Sequence, residues 1–572
     1  MALKPSYYGT DKGNRTQESI SSVWRKEFEK MKMKGAGYRI LWMLPLLFLV
    51  SQLSFPCTSI IVTKGASADG SVIITYSCDG EFLPRFRLYP AADHAAGDKC
   101  EIMGFRGKRG EIPEAAHTYK VLDLMNEFQV AIGETTFDGR RELVNPDGLL
   151  NYPQLMVLAL QRAKTAREAI KVMTDLVDQY GYGSSGESFS IADKDEAWIM
   201  EMIGTGKGGH GAVWVAMRIP DGMICAHANM SRIGEFPVND PENCLYSPNV
   251  ISFAVEKGYY SPKSGPFNFS LVYNPPTEQQ VKYSARRVWS IFRRAAPSLN
   301  LSPDFSSWVK KAKPYPLWIK PDRKLSVRDV MALHRDHYEG TPFDMTKDLT
   351  AGPFGAPDRW RPISWKVDGK DYSWERPISA QQVAFVFVSQ SRSFVPDAVG
   401  GVYWYGMDNP YTNFFVPLYT SITDIPEAYA KGSMQAFSRD SAWWTFNFVA
   451  NYANLRYSDM IQDIQKAQKD IEDLEIDLQP AIEQTARNLL DSEPRLIPVF
   501  LTRYCLSNAQ MNLDRWWKLA DFLITKYNDG YVHDAVGRPR EEGYPEKWLR
   551  EEIKANPEKF ALKEKQKTDK ER

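Results

Sequence analysis

Residues 57–81 read CTSIIVTKGASADGSVIITYSCDGE. Two β-branched runs, CTSIIV and SVIITYS, bracket a Gly/Ser/Asp turn, and this pattern predicts a hairpin. Cys57 opens its first strand. Upstream stands ILWMLPLLFLV (40–50), preceded by the basic stretch MKMKGAGYR (31–39). This apolar run is far shorter than the roughly 20 residues a spanning helix needs. It fits the hydrophobic region of an export signal better than a buried core helix. The linking SQLSFPC runs straight into Cys57. FPC lacks the small residues of a lipoprotein box, and Pro56 is unusual before a signal-peptidase cut. Signal peptidase and self-cleavage (autoprocessing) therefore both stand as agents that expose Cys57. The chain is expected to be exported, periplasmic or extracellular, with no stable membrane span after processing. Residues 1–30 read as a mis-assigned start or a disordered extension, and 31–56 as the leader.

Working outward from the hairpin, QVAIGETTF (129–137) reads as a strand. The stretch 151–181 has apolar residues at helical spacing and ends on Gly181, so it reads as one or two amphipathic helices. ESFSIAD, EAWIMEMIG, AVWVAMRIP and GMICAHANMSRI (187–233) are short strands separated by Gly/Asp turns, an antiparallel meander. From 255 to 375 the chain is rich in Pro, Gly and Trp, with weak periodicity. VAFVFVSQ, GGVYWYGM and NFFVPLY (383–419) return to strand character, and 440–530 is helical. The charged tail from 541 is expected to fray. Strands, a helical pair, more strands and then helices suit an α+β layered domain. The expected organisation is a domain over 57–440, a helical part over 441–540 packed on it, and a tail over 541–572. Doubly wound α/β is disfavoured, because strand–helix alternation is missing.

The 572 residues include 71 Lys+Arg and 71 Asp+Glu, a formal net charge of zero. Such a chain offers no global electrostatic attraction for nucleic acid or an anionic membrane surface. None of the six cysteines forms a CxxC pair. His334 and His337 make HxxH, but HExxH is absent. A zinc peptidase is disfavoured on that ground, and no cofactor is expected.

Cys57 has a chemical option that internal cysteines lack. If the chain is cut before it, its own α-amine, with a reference pKa of about 7.7–8.0, stands beside a thiol of about 8.5. The amine can then act as general base with no histidine. A buried or disulfide-linked cysteine is the competing reading. Asp79 could be an ordinary turn aspartate, since Asp-Gly is a turn dipeptide. It could equally be a carboxylate that fixes an ammonium and tunes the thiol.

The hairpin with its closing Asp79, together with EAWIMEMIG, VWVAMRIPDG and AHANMSRI, resembles the C69 dipeptidase family. So do GPFGAPDRWRP (352–362) and SQSRSFVPDAVGGVYWYGMDNP (389–410). The motifs come in the family's order over roughly 57–540. The resemblance implies the N-terminal-nucleophile (Ntn) hydrolase fold, an αββα sandwich of two mainly antiparallel sheets between helical layers. It also implies metal-free hydrolysis of small peptides. Carried over, it gives Cys57 as nucleophile and amine base, Asp79 as the catalytic aspartate, and Asn229 as an amide beside the scissile carbonyl. Asn126 is expected to support the oxyanion site, or else to cap a strand. Arg232 is expected to bind a substrate carboxylate, or else to form a surface salt bridge. Many family members close the hairpin with an RNED run. Here it is YSCD, so Tyr76 replaces that arginine among the substrate-binding positions. Glu187 and Ser188 (SSGESFSI) read as structural or peripheral. Two other functions stand beside the dipeptidase: an acylase acting on bile-acid conjugates or N-acyl amino acids, and an inactive exported binding protein.

Overall fold

β1 (Ser59–Val62) and β2 (Val72–Asp79) pair antiparallel, with Ile61 opposite Ile74 and Val62 opposite Ile73. The turn between them is held by Asp69, whose Oδ1 accepts from the Ser71 amide at 3.0 Å and the Ser71 hydroxyl at 2.6 Å. Gly70 supplies the positive φ of 79° that this turn requires. Both strands are buried along their whole length. Unbroken apolar runs of this kind mark strands covered on both faces. This is the computed structural model of the chain, and it describes residues 57–80, 82–104, 107–347, 349–358, 364–540 and 542–561. All of them fall in one unit, Ser54–Arg572. The expectations for 1–30 and 31–56, and for the end of the tail beyond 561, lie outside the described residues.

Two sheets form the centre. Chain order introduces β3 (Leu88–Tyr89), β4 (Val121–Leu122), β5 (Met125–Asn126), β6 (Ala131–Asp138), β7 (Gly186–Ala192), β8 (Ala197–Gly204), β9 (Ala212–Arg218), β10 (Ile224–His227) and β11 (Cys244–Tyr246). β12 (Trp318–Ile319), β13 (Val383–Ser391), β14 (Val402–Met407) and β15 (Val416–Tyr419) complete the set. The first sheet has the order β12-β10-β1-β2-β13-β14-β15, and the second β11-β9-β8-β7-β6-β5-β4-β3. Every pairing within them is antiparallel. The class is α+β.

The meander expected over 187–233 divides. Its first three strands lie in the second sheet, but β10 crosses to the first, pairing Ser59 with His227. The crossing is fixed by Thr63, whose amide and hydroxyl both donate to the Met223 carbonyl, at 3.3 and 2.9 Å. A short apolar run does not encode which sheet it joins. The sheets meet closely at Gly133, where an added Cβ would lie 3.0 Å from the Thr75 carbonyl oxygen and the Tyr76 Cβ. His227 bridges them, with Nδ1 2.7 Å from Thr135 Oγ1 and Nε2 2.7 Å from Ser190 Oγ. Burial pulls its pKa down to about 3, so it is neutral.

On the second sheet pack α1 (Tyr152–Leu160) and α2 (Ala166–Tyr180). Asn151 and Thr165 cap them by accepting from the Gln154 and Glu168 amides. Gly181, φ 78°, ends the second. The aperiodic stretch 255–375 contains two helices against the first sheet, α3 (Arg286–Ala295) and α4 (Val327–Leu333), the latter opened by a Ser326/Asp329 capping box. The C-terminal helices are α5 (Ala442–Ala453), α6 (Tyr457–Ser492) and α7 (Leu496–Lys526). They pack on β14 and β15. Buried ion pairs tie α6 to the body: Arg335 with Glu472, and Arg392 with Glu483 at 2.7 Å. The tail does not simply fray, since Glu546–Ala555 is a solvated helix. Among the described residues no helix is long and apolar enough to cross a membrane.

Candidate active site

Cys57 stands at the mouth of β1, 1% exposed. Its backbone N donates to Asn229 Oδ1 at 2.7 Å. Asn229 follows β10 directly, two residues past His227, and adopts a φ of 50°. Asparagine is among the few residues that tolerate this region. The strained turn is held from three sides. Asn229 Nδ2 donates to the Thr136 carbonyl at 2.7 Å, and the Asn229 carbonyl accepts from Gln280 Nε2 and Ser284 Oγ, both at 3.1 Å. The third support is Arg287, fully buried. Its Nη2 donates to Asn229 Oδ1 at 2.8 Å, and its Nη1 to the Cys57 carbonyl and to Thr58 Oγ1. Arg287 is presented by a π turn, Val281–Ala285, that runs into α3. Such turns recur where a side chain must be re-aimed. Burial pulls the Arg287 guanidinium down to about 10, so it stays charged near neutrality.

The sulfur lies 3.8 Å from Glu134 Oε1 and 3.9 Å from Tyr76 Oη. The Tyr76 hydroxyl donates to the same Glu134 oxygen in a short bond. Thr58 and Ser77 exchange both backbone hydrogen bonds, at 3.2 and 2.9 Å. Cys57 and Cys78 are therefore the next, non-hydrogen-bonded pair, with side chains on one face. Neither cysteine is in a disulfide. Burial pushes the Cys57 thiol well up, helped by Cys78 and by the Glu134 carboxyl. Burial also pushes Glu134 up to about 7, against the stabilising hydrogen bonds from Tyr76, Glu187 and Cys57. Glu187 is raised well above the usual carboxylate range, first by burial and then by the Glu134 charge.

Asp79 ends β2, fully buried, in a short ion pair with Arg376. Tyr338 donates its hydroxyl to the Arg376 carbonyl and holds that segment. Burial lowers Arg376 to about 9, while the Cys57 sulfur acts the other way. Asp79 thus joins the cluster through a guanidinium that senses the thiol.

A buried thiol, the amide nitrogen of the same residue and an acceptor on that nitrogen form an arrangement suited to acyl transfer. A family model of peptidase family C69 matches residues 56–470, beginning one position before Cys57. The chain belongs to peptidase family C69. It is a hydrolase of peptide bonds. It is similar to a probable dipeptidase of Latilactobacillus sakei, 27% identical over 461 residues, 77% of this chain and 88% of the relative. It is 28% identical over 400 residues to a probable dipeptidase of Salmonella dublin, 66% of this chain and 83% of that one. A probable dipeptidase B of Streptococcus pyogenes serotype M1 is 25% identical over 422 residues, 70% and 79%.

In this C69 peptidase Cys57, Tyr76, Asp79 and Asn229 come together, and two other expected residues do not join them. Asn126 Nδ2 donates to the Leu160 and Ala163 carbonyls, and its Oδ1 accepts from the Phe128 and Val130 amides. It pins a tight turn to the end of α1. Arg232 donates Nε to the Ala226 carbonyl, Nη1 to Tyr315 and Nη2 to Pro316, all backbone oxygens. Its fork ties β10 to the Tyr315–Pro316 segment. Asn229 enters differently from expectation: its oxygen meets the Cys57 nitrogen, and its Nδ2 holds Thr136. Glu187, read as peripheral, sits beside Glu134. Ser188 donates to Glu201 at 3.1 Å, in the network that receives the Ser231 hydroxyl and the Arg232 amide. Sequence reasoning missed Glu134, Arg287 and Arg376. The GETTF run that holds Glu134 reads as an ordinary strand, and the two arginines lie in the aperiodic 255–375 stretch and just beyond it.

Proposed function

We propose that the protein is an exported, cysteine-dependent dipeptidase of the Ntn-hydrolase type, with Cys57 as the first residue of its mature chain and its nucleophile. The observation that carries this reading is the 2.7 Å contact from Cys57 N to Asn229 Oδ1. Once the bond to Pro56 is cut, that acceptor would hold the freed α-amine next to its own thiol. The stacked antiparallel sheets with helices packed on them, and the relatives called probable dipeptidases, support the same assignment. Export follows from the apolar run 40–50 and brings the chain to where the leader is removed.

The steps balance on one residue. The neutral α-amine takes the Cys57 thiol proton as sulfur attacks the scissile carbonyl carbon, giving a tetrahedral oxyanion. Collapse breaks the C–N bond, and the ammonium returns its proton to the departing amine. The acyl-thioenzyme remains. Water attacks it, the α-amine takes the water proton, and the proton passes to the leaving sulfur. Burial raises the thiol's pKa, so the sulfur needs a base to take its proton as it attacks. Arg376, paired with Asp79, supplies positive charge near the sulfur as it ionises.

Protein beginning at Cys57 is expected to cleave members of a dipeptide panel, and Cys57→Ala to lower kcat/KM at least about 1,000-fold. Undiminished hydrolysis by Cys57→Ala would contradict the assignment. Cleavage confined to N-acyl amino acids or bile-acid conjugates would replace the dipeptidase with an acylase.

A further inference from the structure

Beside the nucleophile lies a pair of carboxyls that the reaction above does not use. Glu134 is on β6, and Glu187 on β7 stands opposite Thr136, two residues along from Glu134. They are diagonal neighbours on one face of adjacent strands, within side-chain reach. Both are buried, at 0% and 1% exposure. Each keeps one oxygen, Oε2, that no donor among the described residues reaches. No lysine, arginine or histidine of the described residues pairs with either; the groups around them include Tyr76, Cys57, Thr136, Asp138, Tyr152, Tyr182 and each other. Two interior carboxyls without a cationic partner cost the fold stability.

The substrate's geometry offers one. For attack, the scissile carbonyl carbon must come within about 3–3.5 Å of Cys57 Sγ. In a dipeptide the free α-nitrogen is two bonds from that carbon, roughly 2.5 Å away. The α-ammonium must therefore lie within a few ångströms of the sulfur, and Glu134 Oε1 is 3.8 Å from it. An ammonium presents three donors. Glu134 Oε2 and Glu187 Oε2 are acceptors without donors in that zone, and Asp79 Oδ1, also without a donor, belongs to a carboxylate already paired with Arg376.

We propose that Glu134 and Glu187 together form the binding site for the free α-ammonium group of the substrate, so that the enzyme selects peptides with an unblocked N-terminus. Tyr76 serves the site by fixing Glu134 through its hydroxyl. The cation takes the place of the proton that the pair shares when empty. This inference rests on the placement of the scissile carbonyl at Cys57, and it predicts that N-acylated peptides are poor substrates.

The test separates binding from turnover. Protein beginning at residue 57 and carrying Cys57→Ala is titrated by calorimetry with leucyl-leucine and with N-acetyl-leucyl-leucine. The free dipeptide is expected to bind at least tenfold more tightly. Adding Glu134→Gln or Glu187→Gln should collapse that ratio toward one, with the circular dichroism spectrum preserved. Equal affinity for the two peptides, or a ratio that survives both glutamine variants, overturns the site. Hydrolysis by the Cys57 protein is measured separately. Loss of Cys57 dependence there would count against the nucleophile, while the binding ratio still reports on the carboxyl pair.

Discussion

Single residues at this site are held more firmly than their chemistry alone demands. Asn229 occupies a left-handed backbone position and is fixed through three of its polar atoms, so its oxygen stays aimed at the Cys57 nitrogen. Its importance was legible in the sequence, because it sits in the AHANMSRI motif. The atom it would present was not legible, because an amide side chain reads the same whichever end it offers. Glu134 shows the opposite case. Nothing in GETTF distinguishes a buried carboxyl from a solvated one, since the strand alternation that would expose it is overridden by Tyr76 reaching across from the other sheet. Its pKa, raised to about 7 by burial, makes a stability prediction. For a raised acid, the folded state holds its proton more tightly than the unfolded chain. The stabilisation is fully present below about pH 4.5 and lost as pH rises through about 7, amounting to about 3 kcal/mol at most. In urea titrations from pH 4.5 to pH 8, Glu134→Gln should show a shallower decline than the wild type. Parallel curves would mean that Glu134 ionises as an ordinary exposed glutamate.

At the scale of elements, the β1–β2 hairpin, the helices of 151–181 and the late strands of 383–419 were readable, because each has one strong period or an unbroken β-branched run. The reassignment of β10 to the first sheet was not readable. Four residues, Ile-Cys-Ala-His, have no alternation from which to choose a sheet, and the choice is made by Thr63 bonding the Met223 carbonyl. The π turn that aims Arg287 was equally hidden, since its sequence VKYSA looks like ordinary helix. Arg232 illustrates how an element can claim a residue that a motif nominates for chemistry. Its three backbone acceptors tie Ala226 of β10 to the Tyr315–Pro316 segment. Arg232→Lys, which loses the fork, should destabilise the protein by about 2–4 kcal/mol, read as a lower urea midpoint. KM for the best dipeptide should stay within about twofold. A tenfold rise in KM with an unchanged midpoint would return Arg232 to the substrate.

Across the whole molecule, residues far apart in the chain meet because two antiparallel sheets stack and their strands come from both ends of the catalytic region. β2 takes its second partner from β13, some 300 residues downstream, and Arg376 arrives with that segment. Helix α6 is fastened to the body by the Arg392–Glu483 and Arg335–Glu472 contacts. Such buried pairs specify a docking position more than they add net stability. The central claim is that the amine of Cys57 is the base for its own thiol, and it turns on a single peptide bond. The direct measurement compares two proteins that differ by one residue, one beginning at Cys57 and one beginning at Pro56, with each N-terminus verified by intact mass before and after assay. Hydrolysis of the same dipeptide should be confined to the first, with kcat/KM of the second lower by at least about 1,000-fold, because an amide nitrogen cannot take the proton. Equal rates from a protein that still carries Pro56 would contradict the account.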